Sequence, residues 1–145
     1  MKPINESKLA FPSRSANESF ARSVVSAFAA QADPTVEELS DIRTAVSEAV
    51  TNCIVHAYPE GIGTITIHMR LFENGKLSIR IRDRGLGIEN VSQAMEPLFT
   101  TGGEDRSGLG FTVMESFTDK VRVRSNPGKG TTVTLEKYIL SRSSD

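Results

Sequence analysis

Hydrophobic residues in the first part of the chain recur every three or four positions, in two separate segments. This is the period of an α-helix with one buried face. Each segment begins with a hydroxyl residue followed three positions later by glutamate, the pattern of a capping box. The apolar positions and capping pairs are Phe20, Val24, Ala27 and Phe28 with Ser15 and Glu18, then Leu39, Ile42, Val46, Val50 and Ile54 with Thr35 and Glu38. We therefore predict helices over residues 15–32 and 36–57.

From residue 64 the apolar period changes to two, which is typical of strands with one buried face. The alternating positions are Ile65, Ile67, Met69 and Leu71, then Leu77, Ile79 and Ile81, and near the end of the chain Val121 and Val123, then Val133 and Leu135. Asn74-Gly75 between the first two runs predicts a hairpin with a type I′ turn. The turn sequence SNPGKG, residues 125–130, predicts a second hairpin.

Residues 83–110 between the hairpins are rich in glycine and polar side chains. We expect a long functional loop with one or two helical turns around residues 91–95, and then a helix over 109–118. Helices followed by hairpins predict an α+β fold, a two-layer α/β sandwich with helices on one face of a mainly antiparallel mixed sheet. We expect a single domain over residues 1–145, with frayed ends at 1–10 and 141–145.

Composition narrows the function classes. The 145 residues include 17 Lys and Arg and 18 Asp and Glu, a net charge of -1. We therefore expect no direct nucleic-acid or membrane partner, because no global positive field attracts either one. The single cysteine, Cys53, excludes an intramolecular disulfide. The sequence has no signal peptide or apolar span of about 20 residues, so we expect a soluble, cytoplasmic protein.

Three polar residues, Glu48, Asn52 and His56, lie at i, i+4 and i+8 on the second predicted helix. Such residues form one row along a helix surface and can converge on one ligand. A carboxylate in this row can polarise a hydroxyl group, and an amide oxygen suits Mg²⁺. Taken alone, the spacing also fits a solvated helix flank. We interpret Cys53 as a small buried hydrophobe and His56 as a capping or packing residue.

Two glycine-containing motifs follow the row. The first, Asp83–Gly87, comes at a strand end, where an aspartate can accept a hydrogen bond from an exocyclic amine and glycines allow a flat ring to approach. The second, Arg106–Gly110, comes directly before a helix, where backbone N–H groups and an arginine suit a phosphate. Ordinary turns explain either motif alone. The Walker pattern G-x-x-x-x-G-K-[ST] does not occur.

The order of the three motifs resembles the GHKL ATPase superfamily, which has the Bergerat fold. Its N-box is similar to Glu48–Asn52, its first glycine box to Asp83–Gly87 and its second to Gly108–Gly110. Within the superfamily, SEAVTN (47–52), PLFTT (97–101), DRSGLGF (105–111) and KGTTV (129–133) resemble the sporulation anti-sigma-F factors, which are small serine kinases. This resemblance covers nearly the entire chain.

The resemblance implies ATP and Mg²⁺ as cofactors, with ADP as product. It implies that Glu48 is the catalytic base, that Arg106 stabilises the transferring phosphoryl group and that Asn52 is the metal ligand. Arg22 is similar to an arginine that contacts protein partners. The residues implied in nucleotide binding are Asp83, Gly85, Gly87, Thr100, Thr101, Ser107, Gly108, Leu109, Gly110 and Thr131.

The resemblance also implies two activities. The protein would bind and inhibit a sigma factor of the sigma-F type when ATP is bound, and phosphorylate a serine of a STAS-type anti-anti-sigma partner. The family works as a homodimer. The chain is too short for the dimerisation or transducer domains of sensor kinases and topoisomerases, so we expect the nucleotide domain to act directly on a protein.

Three alternatives stay open. One is a stress-response anti-sigma serine kinase of the same family. Another is an ATP-gated anti-sigma binding module without efficient transfer, because Gly102 and Gly103 stand where relatives often carry a lysine. The third is a detached sensor-kinase domain, which would phosphorylate histidine.

Overall fold

The structure, a computed structural model, describes residues 2–96 and 110–140. Its strands are β1 (Asn5–Pro12), β2 (Thr64–Leu71), β3 (Lys76–Asp83), β4 (Lys120–Asn126) and β5 (Gly130–Tyr138). Its helices are α1 (Ala16–Ala29), α2 (Val36–Asn52), α3 (Val91–Ala94) and α4 (Gly110–Phe117). A 3₁₀ turn, Ala30–Ala32, follows α1, and a π-helical segment, Cys53–Ala57, follows α2.

The five strands form one sheet in the order β1-β2-β3-β5-β4, and each of these four pairings is antiparallel. The register aligns apolar residues across the sheet, as in the pairs Ile67 with Ile81 and Ile81 with Val133. These side chains are buried together with residues of the helices, such as Val25 and Val46. The helices therefore cover one face of an antiparallel sheet, and the predicted two-layer α+β sandwich is confirmed.

The N-terminal segment corrects one prediction. Residues 1–10 are expected to be frayed, but Asn5–Pro12 form β1, which pairs with β2 in a continuous register. Leu9 lies opposite Ile67 and Phe11 opposite Ile65, so both apolar side chains reach the core side of the sheet. Only Leu9 and Phe11 alternate towards the core in these eight residues, which is too weak a pattern to predict a strand, and pairing with β2 stabilises it. The other expected frayed end, residues 141–145, lies outside the described residues.

The two predicted helix caps have different outcomes. The Thr35 box is confirmed, because Glu38 N–H donates to Thr35 Oγ1 at 2.9 Å and Thr35 N–H donates to Glu38 Oε1 at 2.8 Å. The Ser15 box is wrong, because Ser15 has helical dihedral angles and makes no side-chain cap. Glu18, its expected partner, instead accepts a hydrogen bond from Ser47 Oγ at 2.7 Å.

The first hairpin is confirmed, but its turn type is not. A type I′ turn needs positive φ at both central residues. In this turn Gly75 has φ 86° and Asn74 does not have a positive φ. Phe72 N–H donates to the Lys76 carbonyl at 2.9 Å, and Gly75 N–H donates back to the Phe72 carbonyl at 3.0 Å. The loop thus has three residues, with glycine in the left-handed position that such loops require.

The two caps provide a stability test. Thr35→Ala removes the hydroxyl that accepts from Glu38 N–H, so we expect the free energy of unfolding to fall by about 1 kcal/mol. Ser15→Ala, the matched control, should change it by less than about 0.5 kcal/mol, because Ser15 makes no cap. Urea denaturation followed by circular dichroism measures both. Equal losses in the two variants would contradict the assigned caps.

Candidate functional site

The end of α2 differs from the continuous helix predicted to residue 57. After Asn52 the chain widens into the π-helical segment Cys53–Ala57, a form that often occurs at functional sites. The Ala57 carbonyl accepts a hydrogen bond from Leu86 N–H at 3.0 Å. Tyr58 Oη accepts one from Arg84 N–H at 2.6 Å and donates to the Thr64 carbonyl at 2.9 Å. The π-helical segment therefore fixes the loop that follows β3.

Asp83 is the last residue of β3 and is buried, with 5% of its surface exposed. Its Oδ1 accepts hydrogen bonds from Gly85 N–H at 3.0 Å and Thr131 N–H at 3.2 Å. Burial raises the pKa of Asp83, while these two N–H groups and the Cys53 thiol counteract the rise by bonding to its charged form. The site thus keeps a carboxylate in a largely apolar environment, where it is a strong hydrogen-bond acceptor.

Cys53 contacts Asp83. The interpretation of Cys53 as a small buried hydrophobe does not include this contact. The thiol is buried and hydrogen-bonds to the Asp83 carboxyl group. Burial raises the pKa of Cys53 well above its ordinary value, and the nearby Asp83 charge raises it further. Cys53 is therefore a protonated donor to the carboxylate. No motif predicts the contact, because it joins two elements 30 positions apart.

The glycines of the Asp83–Gly87 motif are required by close backbone packing. A Cβ on Gly85 would overlap the Ala57 carbonyl oxygen. Gly87 has φ 77°, and a Cβ there would overlap the Asn126 carbonyl oxygen. The motif is therefore held between the π-helical segment and the β4–β5 turn.

Glu48 and Asn52 meet the first residue of α4. An ideal Cβ built on Gly110 would lie 3.2 Å from Asn52 Nδ2, 3.3 Å from Asn52 Oδ1 and 3.5 Å from Glu48 Oε2. A side chain at this position would crowd the Asn52 amide and come into van der Waals contact with the Glu48 carboxylate. The α2 row and the end of the second glycine motif, far apart in sequence, thus come together.

A cavity of about 620 Å³ lies between α2, the ends of β3 and β5, and the start of α4. This volume is within the usual range for small-molecule sites. Its lining includes the expected residues Asn52, Asp83, Gly87, Gly110 and Thr131, and also Cys53, His56, Ile88, Phe111 and Val133. Sequence reasoning missed the last three, since apolar residues near strand and helix ends give no distinct signal. Gly85 is not among the lining residues.

A second groove, of about 420 Å³, runs along the outside of α1 and α2. Its lining includes Arg22, Arg43, Ser47 and Glu48. Arg22 Nε lies 3.5 Å from Glu18 Oε2, the oxygen that also accepts from Ser47. The row along α2 therefore divides between two surfaces, because Glu48 faces this groove while Asn52 and His56 line the cavity.

Several expected site residues lie outside the described part of the chain. They are Thr100, Thr101, Arg106, Ser107, Gly108 and Leu109. The remaining expected residues are all described, and the cavity, the groove and the loop after β3 contain them.

The described residues fit Mg²⁺ only if substrate phosphates and water complete its coordination. Within residues 2–96 and 110–140, no three His, Cys, Asp or Glu side chains cluster as a metal site. Mg²⁺ commonly takes one or two protein oxygens and completes its shell with substrate phosphates and water. The Asn52 amide oxygen beside the Glu48 carboxylate suits such a site. Separately, no helix in the described part of the chain is long and apolar enough to cross a membrane.

Solved structures with this fold include the RsbU and RsbW domains of a Mycobacterium tuberculosis protein. The match has a TM-score of 0.67 at 19% identity and covers 94% of this chain and 33% of that chain. A mycobacterial sensor histidine kinase matches with a TM-score of 0.57 at 20% identity, covering 70% and 72% of the two chains. These likenesses support the fold.

Sequence comparisons go further. The histidine kinase-like ATPase domain family matches residues 11–137. The anti-sigma F factor of Caldanaerobacter subterraneus is 60% identical over 136 residues, 93% of this chain and 94% of that protein. The anti-sigma F factor of Clostridium acetobutylicum is 50% identical, with 92% and 93% covered. The chain therefore belongs to the histidine kinase-like ATPase family and, within it, to the anti-sigma F factors.

Proposed function

We propose that this chain binds ATP in the 620 Å³ cavity, with the adenine amine donating a hydrogen bond to Asp83. Two backbone N–H groups orient Oδ1, and the Cys53 thiol is a further donor to the carboxyl group. A carboxylate accepts from the amine of adenine but cannot donate to the carbonyl of guanine. For a base whose 6-position faces Asp83, the site favours adenine, which has an amine there, over guanine, which has a carbonyl.

The phosphates lie towards the start of α4, where the first backbone N–H groups of a helix favour negative charge. Asn52, beside Gly110, is the protein ligand of Mg²⁺. Mg²⁺ held there would supply positive charge that offsets the negative charge developing during transfer. The expected phosphate contacts of Arg106 and residues 107–109 complete this part of the proposal.

Glu48 is the base for phosphoryl transfer to a serine of a STAS-type anti-anti-sigma protein. The carrying observation is that its carboxylate lies beside the start of α4, next to the cavity, and also lines the outer groove. A serine hydroxyl entering from the groove gives its proton to Glu48 as its oxygen bonds to the γ-phosphorus. The bond from that phosphorus to the bridging oxygen breaks, and its electron pair leaves with ADP.

Sigma-factor binding uses the same groove. Arg22 lies there with Glu48, and its side chain is 33% exposed, with its guanidinium near Glu18. We infer that a sigma factor of the sigma-F type contacts Arg22 in the ATP-bound protein, which acts as a homodimer. Both protein partners would then need overlapping parts of one surface.

The kinase step is tested by Glu48→Gln. The substitution keeps the side-chain size but removes the base, so we expect the phosphorylation rate to fall about 100-fold to 10,000-fold. ATP binding and sigma capture should remain. The measurement is the intact mass of a STAS partner after incubation with Mg-ATP.

Wild-type protein is the reference, and acid stability of the adduct separates phosphoserine from phosphohistidine. A near-normal rate of phosphoryl transfer in Glu48→Gln would contradict the role of Glu48 as the base. No adduct with wild-type protein that does bind ATP would favour the ATP-gated binding module. Capture of a different sigma factor in preference would favour the stress-response relative.

Asp83→Asn should have opposite effects on binding and stability. Loss of the charged acceptor weakens ATP binding by about 10-fold to 100-fold, measured by calorimetric titration. Without nucleotide, the variant should gain stability at pH 7. Burial raises the folded-state pKa of Asp83 above 3.8, so wild-type stability falls as pH rises from about 4 through that raised value.

Urea denaturation at pH 4 and pH 7 checks the second effect. The advantage of Asp83→Asn over wild type should be larger at pH 7 than at pH 4. If Asp83→Asn binds ATP with normal affinity, the adenine contact lies elsewhere in the cavity.

Arg22→Ala tests the groove. We expect sigma affinity to fall about 30-fold or more, the loss typical of a central interface arginine, with ATP affinity unchanged. Arg14→Ala, an exposed arginine outside the groove, is the matched control. Titration of labelled sigma factor in the presence of ATP measures the sigma affinity of both variants. Equal affinities of the two variants would contradict a role for Arg22 in sigma binding.

A further inference from the structure

The face of the sheet opposite the helices carries an ordered array of polar residues. Paired residues of antiparallel strands point to the same face, so the register defines three rows across β1, β2, β3, β5 and β4. They are Ala10, Thr66, Arg82, Thr132 and Arg124, then Lys8, His68, Arg80, Thr134 and Arg122, then Glu6, Arg70, Ser78, Glu136 and Lys120. We call these fifteen residues the outer sheet face.

The outer sheet face is strongly basic in a chain of nearly balanced charge. It carries seven Lys and Arg side chains against two Glu, whereas the entire chain has a net charge of -1. The rest of the molecule is therefore acidic overall, and positive charge is concentrated on this face.

Four arginines form the centre of this charge, and we call them the arginine quartet: Arg80, Arg82, Arg122 and Arg124. All four are exposed. Within the described residues, none of them has an ion-pair partner. Arg80 and Arg82 are two positions apart on β3, and Arg122 and Arg124 are two apart on β4. The spacing is thus about 7 Å along each strand and about 10 Å between the two strands.

Protection of a sheet edge does not explain the quartet. Cations on an edge strand prevent pairing with other chains, and β4 is an edge strand. However, β3 is the central strand, hydrogen-bonded on both sides by β2 and β5. Arg80 and Arg82 therefore protect no edge, and their charges repel the neighbouring arginines unless an anion binds.

We propose that the outer sheet face binds an extended acidic segment of a partner protein. Alternate side chains of an extended segment are about 7 Å apart, the spacing of the arginine pairs along β3 and β4. A guanidinium group binds a carboxylate through two parallel hydrogen bonds. Thr132 and Thr134, which lie between the two pairs on β5, add hydroxyl groups for the segment's polar atoms.

Other anionic partners fit less well. The fifteen positions include no Phe, Tyr or Trp on which the bases of single-stranded nucleic acid could stack. The exposed Tyr138, paired with Lys76 on the same face, lies beyond the third row and four positions along β5 from Thr134. The chain's pI of about 6.1 is also far below that of typical nucleic-acid-binding domains. A membrane surface would need apolar side chains to insert, and Ala10 is the one apolar residue in the rows.

The test uses the full chain and a fluorescein-labelled peptide of twelve residues with glutamate and threonine alternating. Fluorescence anisotropy gives its affinity for wild type, for Arg80→Gln with Arg82→Gln, and for Lys2→Gln with Arg14→Gln. Both double variants remove two exposed cations, so they match in net charge. Labelled oligothymidylate of twelve nucleotides and phosphatidylserine vesicles are the competing probes, and a melting curve of each variant checks folding.

We expect wild type to bind the peptide, the β3 variant to lose at least 10-fold in affinity, and the control variant to stay within about 2-fold. Equal losses of peptide affinity in the two double variants would show that net charge alone causes the binding, and this would overturn the proposal. Tighter binding of oligothymidylate or vesicles than of the peptide would overturn the assignment to an acidic polypeptide, as would no peptide binding at all. If the β3 variant does not fold, Arg122→Gln with Arg124→Gln on β4 takes its place, with the same expected loss.

Discussion

The Asp83 carboxylate is buried at the end of the central strand, and the elements around it are arranged to satisfy its hydrogen-bonding needs. A buried charge costs several kcal/mol unless donors surround it. Here the donors come from Cys53 on the π-helical segment, Gly85 in the following loop and Thr131 on β5. Three separate parts of the chain must therefore fold together before this acceptor is available. The raised pKa of Asp83 shows that the compensation is incomplete, and the site keeps a polar acceptor at a cost in stability.

The helix α2 joins the core to the site. Val46 and Val50 on one side are fully buried, while Glu48 and Asn52 on the flank face the groove and the cavity. Because the buried side fixes the helix, the polar flank is held on a rigid element, which positions reacting groups better than a loop does. Glu48 and Asn52 also lie beside Gly110, so the start of α4 is placed next to the flank of the same helix.

The sheet separates two kinds of surface. Its inner face supports the helices, the cavity and the groove, which have the polar and apolar features of a ligand site. Its outer sheet face has no covering helix in the described chain and carries the arginine quartet. The strand register that packs Ile81 against Val133 inside also brings Arg80 and Arg82 into line outside, because successive side chains point to opposite faces.

The sequence by itself determined the helices, four of the five strands and the order of the motifs, because the periods of 3.6 and 2 follow from backbone geometry. It also predicted that Asp83 and the α2 row belong to a site. Tertiary structure decided what depends on partners distant in the chain. Glu18 hydrogen-bonds to Ser47 instead of forming its expected cap, and β1, whose apolar pattern is weak, is a strand because it pairs with β2. The π-helical segment places Cys53 against Asp83. Such contacts form only when separate elements pack, so no local pattern encodes them.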